Sequence, residues 1–304
     1  MLGLLLLFGH CSRRQYPDSH AASCYPNHPY DTTSYQWTTP PDSLLTQLLP
    51  RYSRYNLMVA HAAGLLPLLQ SYQLHRAKLR QDSSLARRFL VAEQKARIQD
   101  RVALFRTQVA SLAAELDCEA LRVNRLIVYQ DRLEQVRIRN LTVSSILTGA
   151  IGGVAAALLP ENASKATAIT AGLGSSILGL LSLHSGRRIP LEHPRNLLRD
   201  IWYAPVHSDQ YPAMVWNMLS QPVFSSSGRY PVAYLLRNQW IDIEGLTLHQ
   251  KKNDQKIELL LSRGGYYGVD ELKLRTDLIN QLQAAIKLID QDIQGLLSQF
   301  SSLP

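Results

Sequence analysis

Asp242 and Glu244 stand two residues apart in a stretch of alternating polarity, a spacing that places two carboxylates on one side of a strand. Paired carboxylates at a suitable separation carry out general acid–base chemistry, but alternating acids are also the ordinary surface of a solvated strand. His184, His193 and His207 are scattered, with no nucleophile at a spacing that would make them its base. Cys11, Cys24 and Cys118 match no zinc-ligand spacing, and with His10 and His28 they form only a loose Cys/His group in an irregular tail. Cys11 and Cys24 are placed to pair in an oxidising compartment, while Cys118 falls on a long helix. The chain has no phosphate-binding lysine loop, dinucleotide fingerprint, zinc-protease helix motif or serine elbow. Its glycine-rich stretch lacks the adjacent Lys/Ser pair of a phosphate cradle. The sequence therefore predicts no catalytic residue, no cofactor and no metal site, and the search moves from reactive groups to the elements that carry the chain.

The feature that stands out is an absence of charge. Residues 141–159 and 166–183 contain no Asp, Glu, Lys or Arg, and the short polar connection Pro160-Glu161-Asn162-Ala163-Ser164-Lys165 separates them. Each is close to the roughly 20 residues that cross a bilayer core as a helix. Gly149, Gly152, Gly153, Gly172, Gly174 and Gly179 lower the steric barrier to close helix approach, at a cost in helix propensity that lipid or tight packing must offset. Arg137 and Arg139 precede the first segment and Arg187 and Arg188 follow the second. This arrangement places both ends of a helical hairpin, over 141–186, at one face of a membrane, with the arginines at anionic headgroups. A buried hairpin capping a soluble bundle is the competing expectation.

Upstream, helices are expected over 51–80, kinked at Pro67, and from the Asp82-Ser83-Ser84 cap to about residue 140. Phe105, Val109, Leu112, Leu116, Ala120, Val123, Leu126, Gln130 and Leu133 recur at three- and four-residue steps, giving an apolar stripe that needs a partner helix. Ile279, Leu282, Ile286, Ile289, Ile293 and Leu296 form a matching seam on a terminal helix within 266–304. That seam serves either intramolecular packing or a homo-oligomer. In the mixed region 187–265, Trp202, Tyr203, Trp216 and Met218 suggest short packed helices. Ile241/Ile243 and Ile257/Leu259/Leu261, on either side of Lys251-Lys252-Asn253-Asp254, suggest a small β-hairpin ended by Gly264-Gly265. The predicted fold is mainly α: an elongated helical bundle or coiled-coil-like stalk with a Gly-rich apolar helical hairpin and a small β-hairpin.

Met1 to Gly9 form an apolar run before His10-Cys11, and residues 15–50 are a Pro/Tyr-rich tether. The start, residues 1–14, resembles the signal and lipid-attachment cysteine of bacterial lipoproteins, with Cys11 in the acceptor position. It departs from that pattern in having no Lys or Arg before the run and His10 where a small residue is usual. The resemblance implies a bacterial envelope lipoprotein, whereas the arginines flanking the hairpin favour a cytoplasmic face, so the two signals conflict. The net charge of +8 is uneven: residues 1–140 carry +7. Because those arginines alternate with acids along a helix, they are expected to form solvated surface, and no specific nucleic acid is predicted. The expected function is a membrane-associated structural or assembly protein of the cell envelope, with membrane lipid, a protein partner or a second copy as its partners. In broad outline, long helices bearing an uncharged hairpin look like α-helical pore-forming toxins, which implies a membrane-perturbing alternative. A soluble helical interaction module is the third.

Overall fold

The structure is a computed structural model that describes residues 24–25, 30, 37–158, 188–243, 245–246 and 251–302. It is mainly helical, with an antiparallel pair of long helices as its frame. Helices α1 (Asp42–Leu48), α2 (Arg54–Ala62) and α3 (Leu66–Leu79) lead into α4 (Leu85–Leu158), whose 74 residues span roughly 110 Å at 1.5 Å per residue. Strand β1 (Ile189–Glu192) follows, then α5 (Leu197–Tyr203), α6 (Ala213–Ser220), α7 (Val232–Asp242), α8 (Lys251–Leu261), β2 (Gly264–Tyr267) and α9 (Val269–Ser302).

The two stripes read from the sequence meet each other. On α9 the six seam residues Ile279, Leu282, Ile286, Ile289, Ile293 and Leu296 are all buried, and on α4 so are Phe105, Val109, Leu112, Leu116, Ala120, Val123, Leu126 and Gln130. The pair runs antiparallel: Arg275 meets Glu119, Gln283 Nε2 donates to the Ala113 carbonyl at 3.0 Å, and Asp290 lies 3.8 Å from Arg106. Helices α1 to α3 close the far end of this pair. Ser53 caps α2 by accepting from Asn56 N, and Gln299 Oε1, near the end of α9, accepts from both Ser53 N and Asn56 Nδ2.

Three local expectations are corrected. Pro67 does not kink a helix over 51–80. Helix α2 ends first, with Gly64 at φ +67 and Leu65 N reaching back to the Ala60 carbonyl, and Pro67 then sits in the first turn of α3, where a missing amide costs nothing. The segments holding Ile241/Ile243 and Ile257/Leu259/Leu261 are not a β-hairpin. Ala233, Leu236 and Trp240 on α7, and Ile257, Leu260 and Leu261 on α8, are buried at helical three- and four-residue spacings. The small antiparallel sheet instead pairs distant segments, Ile189 with Tyr267 through Glu192 with Gly264. Ile189 and Leu191 point inward while Pro190 and Glu192 point out. Gly264 opens β2 rather than breaking a strand: at φ +140, a Cβ there would sit 2.5 Å from the Leu191 carbonyl oxygen. Finally, α4 does not stop near residue 140 but runs unbroken to Leu158.

The seam makes a direct prediction. Truncating fully buried Ile286 to Ala should cost about 3 kcal/mol of unfolding free energy in a urea titration. Leu288→Ala, two residues along the same helix and 55% exposed, should change it by less than about 0.5 kcal/mol.

Candidate functional site

Two places in the molecule depart from ordinary packing: a charge network buried beneath the N-terminal segment, and the far end of α4.

Ser111, Glu115, Cys118, Glu119 and Arg122 fall at helical spacing on one side of α4. Arg275, only 2% exposed, enters from α9, and Arg195 from the turn after β1. Arg195 Nε lies 2.8 Å from Glu115 Oε1, while Glu119 meets Arg122 at 3.0 Å and Arg275 at 3.3 Å. The arginines are also tied to backbone: Arg275 donates to the Leu260 carbonyl, Arg122 to that of Glu192, and Arg195 to that of Gln210. His193, fully buried, shares a 2.6 Å hydrogen bond with the Tyr267 hydroxyl, which itself donates to the Leu259 carbonyl.

A disulfide fastens the lid over this network. Cys24 bonds Cys118, so the Cys11–Cys24 pairing that the sequence left open is not formed, and Cys24 is unavailable to a metal. The bond holds Tyr25 beside Glu119, Arg122 and Arg275. Tyr30, farther along the same segment, lies with its hydroxyl 2.9 Å from Ser111 Oγ and 3.5 Å from Glu115 Oε2, and the Arg195 guanidinium stands 4.9 Å over its ring. The enclosed space among Tyr25, Glu115, Glu119, Arg195, Asn196 and Arg275 is about 10 Å³, the size of one water probe. That is too little for a substrate, so the network is an internal brace rather than an active site. Among the described residues no group of three or more His, Cys, Asp or Glu is placed to hold a metal ion.

Burial gives the brace opposing pH sensitivities. Desolvation first, with a smaller push from Glu119, raises the Glu115 carboxyl from 4.5 to about 7, against the pull of Arg195 and Tyr30. Desolvation, then the charges of Arg275 and Arg122, lowers His193 to about 2. The Glu115 contribution to stability is greatest below its unfolded value and is lost as pH rises towards 7. The His193 contribution is present above its unfolded value of 6.5 and is lost as pH falls below it.

The far end of α4 is the opposite environment. Past Gln130 the helix leaves its partner, and Val143, Ile146, Leu147, Ile151 and Val154 are each more than half exposed. At about 100° per residue, Val143, Leu147, Ile151 and Val154 share one face, and Ser145, Gly149 and Gly152 fall on the opposite one. A Cβ added at Gly149 or Gly153 would meet nothing within 4 Å, so no described helix packs on these glycines. Arg137 and Arg139 lie exposed at the root of this arm. Arg188 is tied to the body instead, with ion-pair contact to Glu271 at 3.0 Å and a hydrogen bond to the Tyr266 carbonyl at 3.4 Å, although its side chain keeps 59% exposure. The return limb of the expected hairpin, with Gly172, Gly174, Gly179 and Arg187, and the leader with Cys11, lie outside the described residues, as do His184 and Glu244. Asp242 ends α7, a helix, so the strand geometry suggested for an Asp242/Glu244 pair does not arise. Among the described residues, no helix is long and apolar enough to cross a membrane.

The sequence held one signal for the brace. The three-four rhythm of the α9 seam, continued one step back from Ile279, lands on Arg275, and a charge in a seam position calls for a buried counter-ion. Glu119, flanking the α4 stripe, supplies it. No known protein family matches the chain, and no curated protein or solved structure matches it either. Its function is therefore read from geometry alone.

Two experiments probe the brace. Closing a loop with a sequence separation of 94 residues, the Cys24–Cys118 bond should contribute about 4 kcal/mol, so dithiothreitol should lower the urea midpoint strongly in the wild type and not in Cys118→Ser. Between about pH 7 and pH 5 the two titrations offset each other. Glu115→Gln should steepen the loss of stability on acidification and His193→Gln should flatten or reverse it, each changing the slope by up to about 1.4 kcal/mol per pH unit in urea melts.

Proposed function

We propose that the protein is a membrane-associated structural or assembly protein of the cell envelope: a disulfide-fastened helical body that presents a charge-free helical arm to lipid. The observation that carries this reading is the exposed apolar stripe on α4 beyond the reach of α9. In water, Val143, Leu147, Ile151 and Val154 on one face of an uncovered helix are unfavourable by the free energy of exposing large apolar side chains. Acyl chains remove that cost, since a helix satisfies its own backbone hydrogen bonds in hydrocarbon.

The two faces of the arm divide the work. The large side chains suit lipid, and Ser145, Gly149 and Gly152 suit close approach of a second helix. The charge-free part of the described arm, residues 141–158, covers about 27 Å, slightly short of a hydrocarbon core of about 30 Å. Arg137 and Arg139 then stand at headgroup level.

The Cys24–Cys118 bond supports an oxidising compartment and hence the envelope. It also engages both other cysteines of the chain, so disulfide pairing with either does not compete with acylation of Cys11. An arm that projects from the body, rather than folding back on it, favours constitutive anchoring over a hairpin hidden until a pore forms. It likewise favours anchoring over a module whose hairpin caps its own bundle.

Flotation of the full chain with anionic phospholipid vesicles tests the reading. The wild type should float, and Ile151→Glu or Val154→Glu should each weaken partition by about tenfold or more, in line with a few kcal/mol for an acid placed mid-helix in a bilayer. Leu104→Glu, an exposed apolar site on the body portion of α4, should float as the wild type does. Equal flotation of all four proteins, or none by the wild type, rejects the proposal.

A further inference from the structure

A second site lies on the body, in a cleft of about 650 Å³ between α5, α7 and α8. Its volume is that of a small-molecule site. Arg199, Arg237 and Arg263 line it, and none of the three forms an ion pair or side-chain hydrogen bond among the described residues. Two are held by rings instead. The Arg237 guanidinium stands 5.3 Å over the buried Trp202 indole, and that of Arg199 stands 6.0 Å over Tyr203. Arg237 Nε is buried and has no acceptor. Three guanidiniums around one concavity, which Asp200, Asp254 and Glu258 also line, offer forked donors whose natural acceptors are the oxygens of a carboxylate or phosphate.

The cleft also presents acceptors. Asn196 lines it but is 6% exposed, its Nδ2 is spent on the Leu260 and Ser262 carbonyls, and its Oδ1 is closed off from solvent. Glu258, on the exposed side of α8, lines the same cleft. Asp200 is already engaged by the Ser208 hydroxyl. We infer that this cleft binds a small hydroxylated oxyanion, a polycarboxylate or a phosphate monoester, whose charged oxygens meet Arg199, Arg237 and Arg263 and whose hydroxyl donates to Glu258.

The ligand comes from solution rather than from the bilayer. Beside the cleft, the Glu192 carbonyl is held by Arg122, and the charge-free part of α4 begins 19 residues beyond that arginine, roughly 28 Å along the helix. The inference is thus independent of the membrane reading and is tested apart from it.

Isothermal titration of the full chain with citrate and with glycerol phosphate, at physiological ionic strength, is the experiment. At least one of these probes should bind with millimolar or tighter affinity, and the tighter of the two identifies the oxyanion type. Arg237→Gln combined with Arg263→Gln should weaken that binding by about tenfold or more, while circular dichroism and the urea midpoint stay near those of the wild type. Arg97→Gln, which removes a guanidinium paired with Glu93 on α4, should bind as the wild type does. No binding of either probe, or unchanged affinity in the folded double variant, overturns the inference. So does an equal loss in Arg97→Gln, which would mark attraction to net charge alone.

Discussion

Everything else in the molecule hangs on the antiparallel contact between α4 and α9. A 74-residue helix has no stability of its own beyond local propensity, and most of its standing in water comes from covering an apolar stripe. Helix α9 covers that stripe from Phe105 to Gln130, and α3 lies against the preceding turns. The short helices α5 to α8 then shield the outer side of α9 and carry Trp202, Trp216 and Trp240 into one continuous core. Where α9 begins, at Val269, cover for α4 ends, and the exposed arm starts within a few turns of that level.

A seam built from isoleucine and leucine is strong but not selective about register. Sliding α9 by one heptad, about 10 Å, would bring similar side chains together again. The buried charges remove that freedom. After such a slip Arg275 would face no carboxylate and Glu119 would lose one of its two guanidiniums, each left in a space that admits no more than one water. Uncompensated buried charge costs several kcal/mol, far more than a formed pair gains over an apolar replacement. The disulfide fastens the N-terminal segment to α4 at Cys118, within one turn of both glutamates, and so closes that segment over the buried charges.

Much of this frame was legible in the sequence, because three- and four-residue spacing is a direct record of which face a helix buries. The α9 seam and the α4 stripe were readable residue by residue. The strands were not: Ile241/Ile243 and Ile257/Leu259/Leu261 mimic alternation over stretches too short to separate period two from period 3.6. The true partners, Ile189–Glu192 and Gly264–Tyr267, contain too little apolar pattern to announce themselves across more than seventy residues. Arg275 was visible as an irregularity in the seam. Tyr25, Tyr30 and Arg195 were not, since their roles come from a disulfide and a turn that bring remote segments together. The cleft was equally hidden, because its three arginines come from separate parts of the chain.

The brace and the arm are physically connected, because α4 passes through both without a break. Fixing the register of α4 at Glu115, Cys118 and Glu119 also fixes how many of its residues extend past the last cover, and so the level at which Val143 begins the exposed apolar face. The chain comes back to the body at Arg188, whose pairing with Glu271 pins the return point to the first turn of α9. Outbound and inbound ends are thereby held to the same helix pair by independent contacts. Under the proposed membrane reading, that geometry would turn the length of a helix into a set distance between the bilayer and the body, with the buried ions defining it.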